Sequence, residues 1–199
     1  MKNLIKLAVF VVTFFIVLPL VVLSWLEKRV TRTEAVFVTF SQLLATVPGP
    51  PGVWLRAAYY SGTLTDCSWE CHIGFGSHFT HRGATVGYRA SMGSYCVIGH
   101  ADIGAHVMMA SRVSVPSGKR QHLDEDGNLA PVLRFDRVAI GERCWVGEGA
   151  IVLANVGAGS IISAGAVVIH DMPGGSLIGG NPAKVVKELA RAPAGAAAE

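Results

Sequence analysis

One histidine of the sequence, His122, lies in a long polar stretch that has the composition of a functional loop. Residues 116–137 hold eight charged side chains of both signs and this single histidine. The pKa of histidine lies near neutral pH, so a positioned imidazole can remove a proton from a hydroxyl group. A loop of more than about 15 residues inside a compact fold is usually functional or disordered. The stretch is therefore the first candidate for chemistry.

Two further histidines, His81 and His100, are related by their spacing. Each follows an apolar residue by two positions, Phe79 and Ile98 respectively, and these two apolar residues are 19 positions apart, close to three repeats of six. The pattern predicts that both histidines lie on one face of the fold, from which residues 116–137 also leave. They face either an acceptor molecule or solvent, and the spacing fits both.

The four cysteines predict neither covalent nor metal chemistry. No cysteine has an obvious base partner, and the sequence contains no Gly-x-Ser-x-Gly, so no covalent intermediate on a cysteine or serine is expected. Cys67 and Cys71 form a Cys-x3-Cys pair without the second ligand pair of a structural zinc site. Cys96 and Cys144 each lie four positions after an apolar anchor of the repeat described next, and are predicted to be buried.

An apolar residue recurs about every six positions over most of the chain. A helix would repeat at about 3.6 positions and a half-buried strand at about 2, so this period fits neither. It is typical of a parallel β-helix, in which a short repeat buries its apolar face only by stacking on its neighbours. One step is four residues, from Val152 to Val156, and either pulls the coil inward or skips a corner. The anchors are Ile73, Phe79, Val86, Met92, Ile98, Ile103, Met109, Val115, Ile140, Val146, Val152, Val156, Ile162 and Val168.

The bulk composition limits the class of protein. With 199 residues, the chain has room for one domain and an anchor but not for two ordinary domains. A net charge of +3 without a basic run gives little support to nucleic-acid binding. Hydrophobic residues make up 51% of the sequence, and the excess is concentrated at the N-terminus.

Residues 4–26 form an almost uninterrupted apolar run, which is predicted to be a membrane anchor. About 20 residues suffice to cross the hydrocarbon core of a bilayer, and the run lacks the small-residue cleavage site of a signal peptide. Pro19 favours a kink, so a bent helix that re-enters the same leaflet is the second possibility. The positive charges on both sides of the run do not decide its orientation.

Two amphipathic segments follow the apolar run. The apolar residues of 33–47 predict a helix that lies on the solenoid end or, as favoured by the preceding anchor, in the membrane interface. Residues 54–60 are predicted to cap the first coil, and removal of residues 1–60 is expected to release a soluble solenoid. The predicted organisation is a membrane anchor over 1–32, interfacial and capping helices over 33–66, the solenoid over 67–190 and a disordered tail over 191–199.

Two segments of the second half resemble a known family. They are Ile140–Ala150, with the sequence IGERCWVGEGA, and Gly180–Val186, with the sequence GNPAKVV. Together with the repeat and the histidine-bearing loop, they resemble the hexapeptide-repeat acyltransferases, and within them the sugar and xenobiotic O-acetyltransferases. The resemblance extends from Ile73 to about Leu189. It implies a mainly β fold, a left-handed parallel β-helix with three repeats per coil, and a homotrimer that binds acyl-CoA in grooves between subunits.

The resemblance also implies roles on the acceptor side of the reaction. His122 matches the catalytic base of the family, which stands near the start of an extruded loop. Trp145 matches an aromatic residue that supports this loop, although packing at a coil corner is the alternative. His81 and His100 are assigned to the acceptor side of the cleft from their spacing alone.

For the donor, the resemblance implies contacts along the whole of coenzyme A. Ala164 and Gly165 match the wall of the pantetheine arm, and Lys184 and Lys187 match the phosphate contacts. His170 stands where the family commonly has lysine, which weakens a phosphate contact there. The predicted cofactor-binding residues are Gly147, Ala164, Gly165, His170, Lys184 and Lys187.

These observations predict a membrane-anchored, acetyl-CoA-dependent O-acetyltransferase. The expected acceptor is a sugar hydroxyl of a lipid-linked or surface-polysaccharide precursor, with no metal required. Because acyl-CoA is a cytosolic donor, the catalytic domain is expected to face the cytoplasm from the bacterial inner membrane. The alternatives are transfer of a longer acyl chain or to a non-sugar acceptor, a carbonic anhydrase-like zinc solenoid that uses His81, His100 and His122, and a non-catalytic membrane scaffold.

Overall fold

The solenoid predicted from the six-residue period accounts for most of the chain. A computed structural model describes residues 2–31, 33–124, 126 and 128–189; the tail over 191–199, predicted to be disordered, lies outside these residues. From residue 66 onward, the chain winds through short strands whose neighbours are one coil apart in sequence. The predicted parallel solenoid is confirmed.

Three sheets form the sides of the coil, and only the last pair of strands, β15 and β16, is antiparallel among the named strands. The first sheet contains β1 (Asp66–Cys67), β4 (Thr85–Val86), β7 (Ala101–Ile103) and β10 (Val138–Ile140). The second contains β2 (His72–Ile73), β5 (Ser91–Met92), β8 (Met108–Met109), β11 (Trp145–Val146), β13 (Ile161–Ile162), β15 (Ser176–Gly180) and β16 (Ala183–Glu188). The third contains β3 (His78–Phe79), β6 (Val97–Ile98), β9 (Ser114–Val115), β12 (Ile151–Val152) and β14 (Val167–Val168).

The core of the solenoid is filled by the residues that the repeat places inward. Side chains alternate between the two faces of a strand, so the second residue of each two-residue strand from β2 to β6 is buried. Full burial of an aliphatic side chain stabilises the fold by about 1.5–3 kcal/mol relative to exposure. The residues predicted to be buried are confirmed as such: Ile73, Val86, Met92, Ile98, Ile103, Cys96 and Cys144.

The steps of the repeat that are shorter than six residues lie at one corner of the coil, where the third sheet leads back to the first. Val156 keeps its place in the first sheet, because it bridges Ile140 and Met172. The four-residue step therefore shortens the corner and leaves all three sides intact. Asn155 closes the shortened corner, since its side-chain oxygen accepts a backbone N–H of the preceding coil at 2.8 Å. The same corner extrudes residues 116–137 and is called the loop corner below.

A second corner, where the second sheet leads to the third, requires glycine. Gly147 is buried there, and a Cβ on it would lie 2.4 Å from the backbone nitrogen of Ala164 in the next coil. One coil further, Gly165 adopts a φ of +68°, the left-handed conformation that glycine enters without steric cost. This is called the glycine corner below.

Three helices precede the solenoid and cover its first coil. They are α1 (Lys2–Val30), α2 (Ala35–Ala45) and α3 (Gly49–Thr63). The first coil has no neighbouring coil on one side, so its apolar edge requires a cap. Tyr60 of α3 meets this need, because it is fully buried with its ring 4.8 Å from that of Phe79. This contact is the one that the predicted capping role of residues 54–60 requires.

α2 packs on the end of the solenoid, which is one of the two positions that the sequence allows, and its place in a membrane interface stays a prediction. Phe37 and Leu44 on its apolar face belong to the buried core. Between them, the hydroxyl oxygen of Ser41 accepts the N–H of Phe79 at 3.2 Å and donates to the carbonyl of Phe79 at 2.8 Å. The apolar spacing of α2 fits packing on the solenoid and a position in the membrane interface equally well. The packing on the solenoid is explained by the hydroxyl of Ser41, because it pairs with backbone groups at the end of a strand.

α1 packs along α3 and is joined to it by hydrogen bonds. The hydroxyl groups of Ser24 and Tyr59 lie 2.8 Å apart, and Trp25 donates its indole N–H to the carbonyl of Gly62 at 2.8 Å. Removal of residues 1–60 would uncover Phe79 and the edge of the first coil. The helices thus complete the core of the solenoid, and the release of a soluble solenoid by this truncation stays a prediction.

Arg56 of α3 fastens the cap to the first coil. Its side chain is wholly buried, Nε donates to the carbonyl of Ile73 at 2.8 Å, and Nη1 donates to the carbonyls of Leu44 and Val47, each at 2.9 Å. Burial lowers the pKa of Arg56. A charged group in this position holds three chain segments together through their carbonyl oxygens.

Arg56→Met is expected to destabilise the protein by about 2–4 kcal/mol, because it leaves buried carbonyl oxygens without donors. Thermal unfolding followed by circular dichroism measures the change. Arg120→Met removes the same charge from an exposed position of the loop and is expected to change stability by less than about 0.5 kcal/mol. Equal melting temperatures for the two variants would contradict the role of Arg56.

Candidate active site

A histidine–glutamate pair lies at the loop corner of the first coil. Nδ1 of His81 donates to Oε2 of Glu34 at 2.7 Å, and Oε1 of Glu34 accepts the backbone N–H of Arg82 at 3.0 Å. Burial opposes ionisation of Glu34, but these hydrogen bonds and the charges of His81 and Arg82 outweigh it, so the pKa of Glu34 lies below its ordinary value. A carboxylate on Nδ1 fixes the orientation of the ring and leaves Nε2 as the ring nitrogen without a described partner.

His100 lies beside His81, but both of its ring nitrogens are engaged. The two ring centroids are 6.5 Å apart. Arg137 donates to Nε2 of His100 at 2.8 Å, and Nδ1 lies 3.4 Å from the carbonyl oxygen of Phe135. The ring of His100 thus contacts two residues of the loop and holds the loop in place. The predicted position of both histidines on the face of the loop is confirmed, and only His81 keeps a nitrogen free of described partners.

The two histidines open on a groove of about 740 Å³ between the cap and the loop. The ring of Phe135 forms an apolar wall and lies 4.3 Å from the ring of His81. Lys28, at the end of α1, adds a positive charge to the rim. The groove therefore combines an imidazole ring, an apolar wall and a cation.

The extruded loop, residues 116–137, forms hydrogen bonds with the solenoid at two levels along the solenoid axis. Arg137 donates to the carbonyl of Gly83 at 3.0 Å and forms an ion pair with Asp102, both in early coils. Lys119 donates to the carbonyl of Ile169 at 3.0 Å in a later coil. The loop therefore runs along the loop corner across several coils.

His122 lies at the exposed side of this loop. Its backbone carbonyl accepts the N–H of Ala130 at 2.9 Å. Its ring, in contrast to that of His81, forms no hydrogen bond with any residue that the structure describes. The assignment of His122 as the catalytic base stays a prediction.

The predicted donor-binding residues lie mostly away from the loop corner. Ala164 and Gly165 are exposed at the glycine corner, whereas Gly147 is buried beneath Ala164. The surface that a ligand can reach at this corner therefore belongs to Ala164 and Gly165. Gly147 permits the close approach of the two coils.

The remaining predicted donor residues are divided between two places. His170 is exposed at the loop corner, next to the carbonyl that binds Lys119. Lys184 and Lys187 are exposed on β16, opposite Gly179 and Leu177 of β15. His170 is therefore at a different corner of the coil from Ala164 and Gly165, whereas Lys184 and Lys187 lie on the second sheet, which leads to the glycine corner.

Trp145 lies on the outer face of the second sheet, where it pairs with Met108 and Ile161. This sheet is the side of the coil opposite the loop corner. The predicted support of the loop by Trp145 stays a prediction. Trp145 and Met108 are exposed apolar side chains, 42% and 55% accessible.

The sequence analysis missed Glu34, Phe135 and Arg137. Phe135 and Arg137 lie in the predicted loop, and their contacts with His100 carry no local signal. Glu34 lies in a segment assigned to the membrane interface, 47 residues before its partner His81. Among the residues that the structure describes, no three His, Cys, Asp or Glu side chains form a group able to hold a metal ion.

Comparison with known proteins gives partial matches in sequence. No family model matches the chain. The chain is 35% identical over 86 residues to 2,3,4,5-tetrahydropyridine-2,6-dicarboxylate N-acetyltransferase of Staphylococcus aureus strains JH9 and JH1, which is 43% of this chain and 30% of those enzymes. The chain thus spans less than a third of the length of the curated relatives that it matches.

Two solved structures share the fold over most of both chains. A maltose O-acetyltransferase from Clostridium difficile 630 superposes with a TM-score of 0.70 at 20% identity, over 79% of this chain and 87% of that one. A hexapeptide-repeat acetyltransferase from Vibrio cholerae O1 biovar eltor, in complex with acetyl coenzyme A, gives 0.66 at 19% identity, over 77% and 85%. These two structures confirm the fold that the resemblance implies, whereas the acyltransferase reaction and its sugar O-acetyltransferase branch stay predictions.

Glu34→Gln is expected to lower stability by about 1–2 kcal/mol at neutral pH, since it removes charge-assisted hydrogen bonds to His81 and Arg82. The pKa of Glu34 is lowered by folding, so its contribution is present above the unfolded pKa of about 4.3 and is lost as the pH falls through the folded pKa. Denaturant unfolding of both proteins from pH 7 to pH 3 measures this. A stability difference that does not shrink in acid would contradict the ionised pair.

Proposed function

We propose that this chain, which shares the repeat and the fold of the hexapeptide-repeat acyltransferases, transfers an acetyl group from acetyl coenzyme A to a hydroxyl group of a sugar. The observation that carries this proposal is a histidine-bearing loop extruded from one corner of a hexapeptide solenoid, next to a groove lined by His81 and Phe135. The sequence match to an N-acetyltransferase and the shared fold of two acetyltransferases support the reaction class. The maltose O-acetyltransferase supports a sugar hydroxyl as acceptor.

The proposed reaction is a direct transfer. The acceptor oxygen attacks the thioester carbonyl, an imidazole takes the hydroxyl proton, and the coenzyme A thiolate leaves and is protonated. Backbone N–H groups at the coil corners are suited to stabilise the oxyanion that forms at the carbonyl. The described cysteines are buried or half-buried, and none is needed for a covalent intermediate.

His122 is the proposed base, and His81 is the second candidate. The family resemblance favours His122, because it stands near the start of the extruded loop. The geometry favours His81, because Glu34 fixes its ring at 2.7 Å and it lines the groove. His100 is proposed to position the loop through Phe135 and Arg137.

A homotrimer is proposed because the predicted donor and acceptor residues lie at different corners. Ala164 and Gly165 at the glycine corner are separated from the loop corner by the third sheet. A neighbouring chain that applies its loop corner to this glycine corner completes a cleft for acetyl coenzyme A, with Lys184 and Lys187 as phosphate contacts. The exposed Met108 and Trp145 on the second sheet are apolar surface available to such an interface.

A membrane location is proposed from α1. It is a helix long and apolar enough to cross a membrane, from Asn3 to Val30, and few of its residues are buried in the fold. Because Lys28 of α1 also lines the groove, a lipid-linked sugar is the proposed acceptor, at the cytoplasmic face of the bacterial inner membrane. A longer acyl donor or a non-sugar acceptor is the alternative within the same reaction class.

His122→Ala is expected to lower kcat by about 10²–10⁴ with little change in the KM for acetyl coenzyme A, the effect of a lost general base. His81→Ala is the matched comparison, and is expected to raise the KM for the acceptor or to change nothing. Steady-state kinetics with a soluble sugar acceptor measures both. Near-normal kcat in His122→Ala together with loss of turnover in His81→Ala would transfer the role of base to His81.

Lys184→Ala is expected to raise the KM for acetyl coenzyme A by about tenfold while kcat changes little, because a phosphate contact is made equally in the ground state and the transition state. Arg143→Ala, which removes an exposed cation outside the loop, serves as the control for loss of charge. If Lys184→Ala leaves the KM unchanged, the phosphate contact is wrong, whereas the assignment of the base is unaffected.

A further inference from the structure

The outward side of α1 is apolar, unlike that of a surface helix of a water-soluble protein, although Val17 and Val21 on its inward side already belong to the core. Thr13, Ser24 and Glu27 face the cap and are buried, with Ser24 bonded to Tyr59 and Glu27 to Arg82. A surface helix ordinarily turns its apolar side inward, so an apolar phase is the matching environment for the outward side of α1. The large apolar side chains exposed on that side are Leu4, Ile5, Leu7, Val11, Val12, Phe15, Ile16, Val22, Leu23 and Leu26.

Both ends of α1 are held by a single coil of the solenoid. Near the start of the helix, Lys6 lies 3.8 Å from the carboxylate of Glu70. Near its end, Glu27 binds Arg82 at 2.7 Å, in an ion pair that is almost fully buried. Glu70 and Arg82 belong to the first coil, on either side of β2 and β3. α1 therefore runs across the end of the solenoid.

This attachment conflicts with a helix that crosses a bilayer. Lys6 and Glu27 are separated by about 32 Å along the helix axis at 1.5 Å per residue, and the hydrocarbon core of a bilayer is about 30 Å thick. If α1 stood upright in the bilayer, Glu70 and Arg82 would lie near opposite surfaces. The polar first coil between them would then lie in hydrocarbon, at a large desolvation cost.

We propose that α1 lies in the plane of one leaflet, with its outward face among the acyl chains, and does not cross the membrane. The proposal rests on the proposed membrane location and deepens it. A helix of this kind is immersed by about 5–10 Å at the boundary of headgroups and acyl chains. Because Lys28 lines the groove next to the end of α1, the groove then opens at the level of the lipid headgroups.

The charges on α1 select anionic lipid over a second copy of the chain. Its exposed charged side chains between residues 3 and 30 are Lys6, Lys28 and Arg29, and the one carboxylate in this range, Glu27, is buried against Arg82. An anionic headgroup layer complements these cations. Pairing of two such helices would bring like charges together in the parallel and the antiparallel arrangement.

Binding to lipid vesicles tests the occupant of this face. The full-length protein is expected to bind vesicles that contain phosphatidylglycerol at least tenfold more tightly than vesicles of phosphatidylcholine alone. Phe15→Glu and Leu23→Glu are each expected to weaken binding about tenfold or more, since they place a charge on the outward face. Val132→Glu introduces the same charge at an exposed apolar residue of the loop, and is expected to bind as the unmodified protein does.

Nitroxide labels on the outward face test the orientation. Labels on cysteines introduced at Leu4, Phe15 and Leu26, in a Cys67→Ala background, report their depth in the bilayer by electron paramagnetic resonance. The other three cysteines are buried. A helix in the plane gives three similar depths. An upright helix gives a deep label at Phe15 and shallow labels at Leu4 and Leu26, and this result would overturn the in-plane orientation while leaving the membrane location intact.

Two other results would overturn the lipid occupant. Absence of vesicle binding excludes the membrane location altogether. A stable dimer in solution that Phe15→Glu separates, measured by light scattering, would assign the face to a second copy of the chain. None of these measurements involves acetyl transfer, so they are independent of the proposed reaction.

Discussion

Each coil of this solenoid is stable only with a neighbour on both sides, and the rest of the structure follows from that constraint. A two-residue strand has too few hydrogen bonds and too little apolar surface to fold alone. In the middle of the chain the neighbours are other coils. At the start, α2 and α3 take their place, with Tyr60 against Phe79 and Arg56 bonded to the carbonyl of Ile73. The same cap brings Glu34 to His81, so the requirement for a cap also creates one wall of the candidate site.

The repeat was predictable from sequence because it is a local pattern. A period of six places each inward residue without knowledge of any other part of the chain, and the buried positions of Ile98 and Cys96 follow directly. The position of His81 and His100 beside the loop follows from the same counting. The coil that contains the short step before Val156 still has three sides. Val156 pairs with the neighbouring coils even though the corner before it is shorter.

The contacts between the cap and the solenoid could not be read in the same way. Glu34 and His81, or Glu27 and Arg82, are separated by about 50 residues, and their pairing depends on how α1 and α2 fold back on the first coil. For α2, the apolar spacing is the same whether the helix packs on protein or on lipid. The side chain that distinguishes them is Ser41, whose hydroxyl pairs with backbone groups that exist only in the folded solenoid. For Trp145, the repeat predicts the side of the coil on which the residue lies. The repeat does not predict whether its side chain contacts a loop.

The reversal of the chain between β15 and β16 limits how these molecules can associate. An open edge of a parallel solenoid presents unpaired N–H and C=O groups at the spacing of its coils, which is the template on which cross-β fibrils elongate. At the end of the second sheet, β16 lies on β15 in the opposite direction, from Ala183 to Glu188. A coil of another molecule that approached this edge would meet a strand of the wrong direction and the charges of Lys184 and Lys187. The second sheet therefore ends at β16. A coil of another molecule cannot add to this edge, so a filament cannot grow from it.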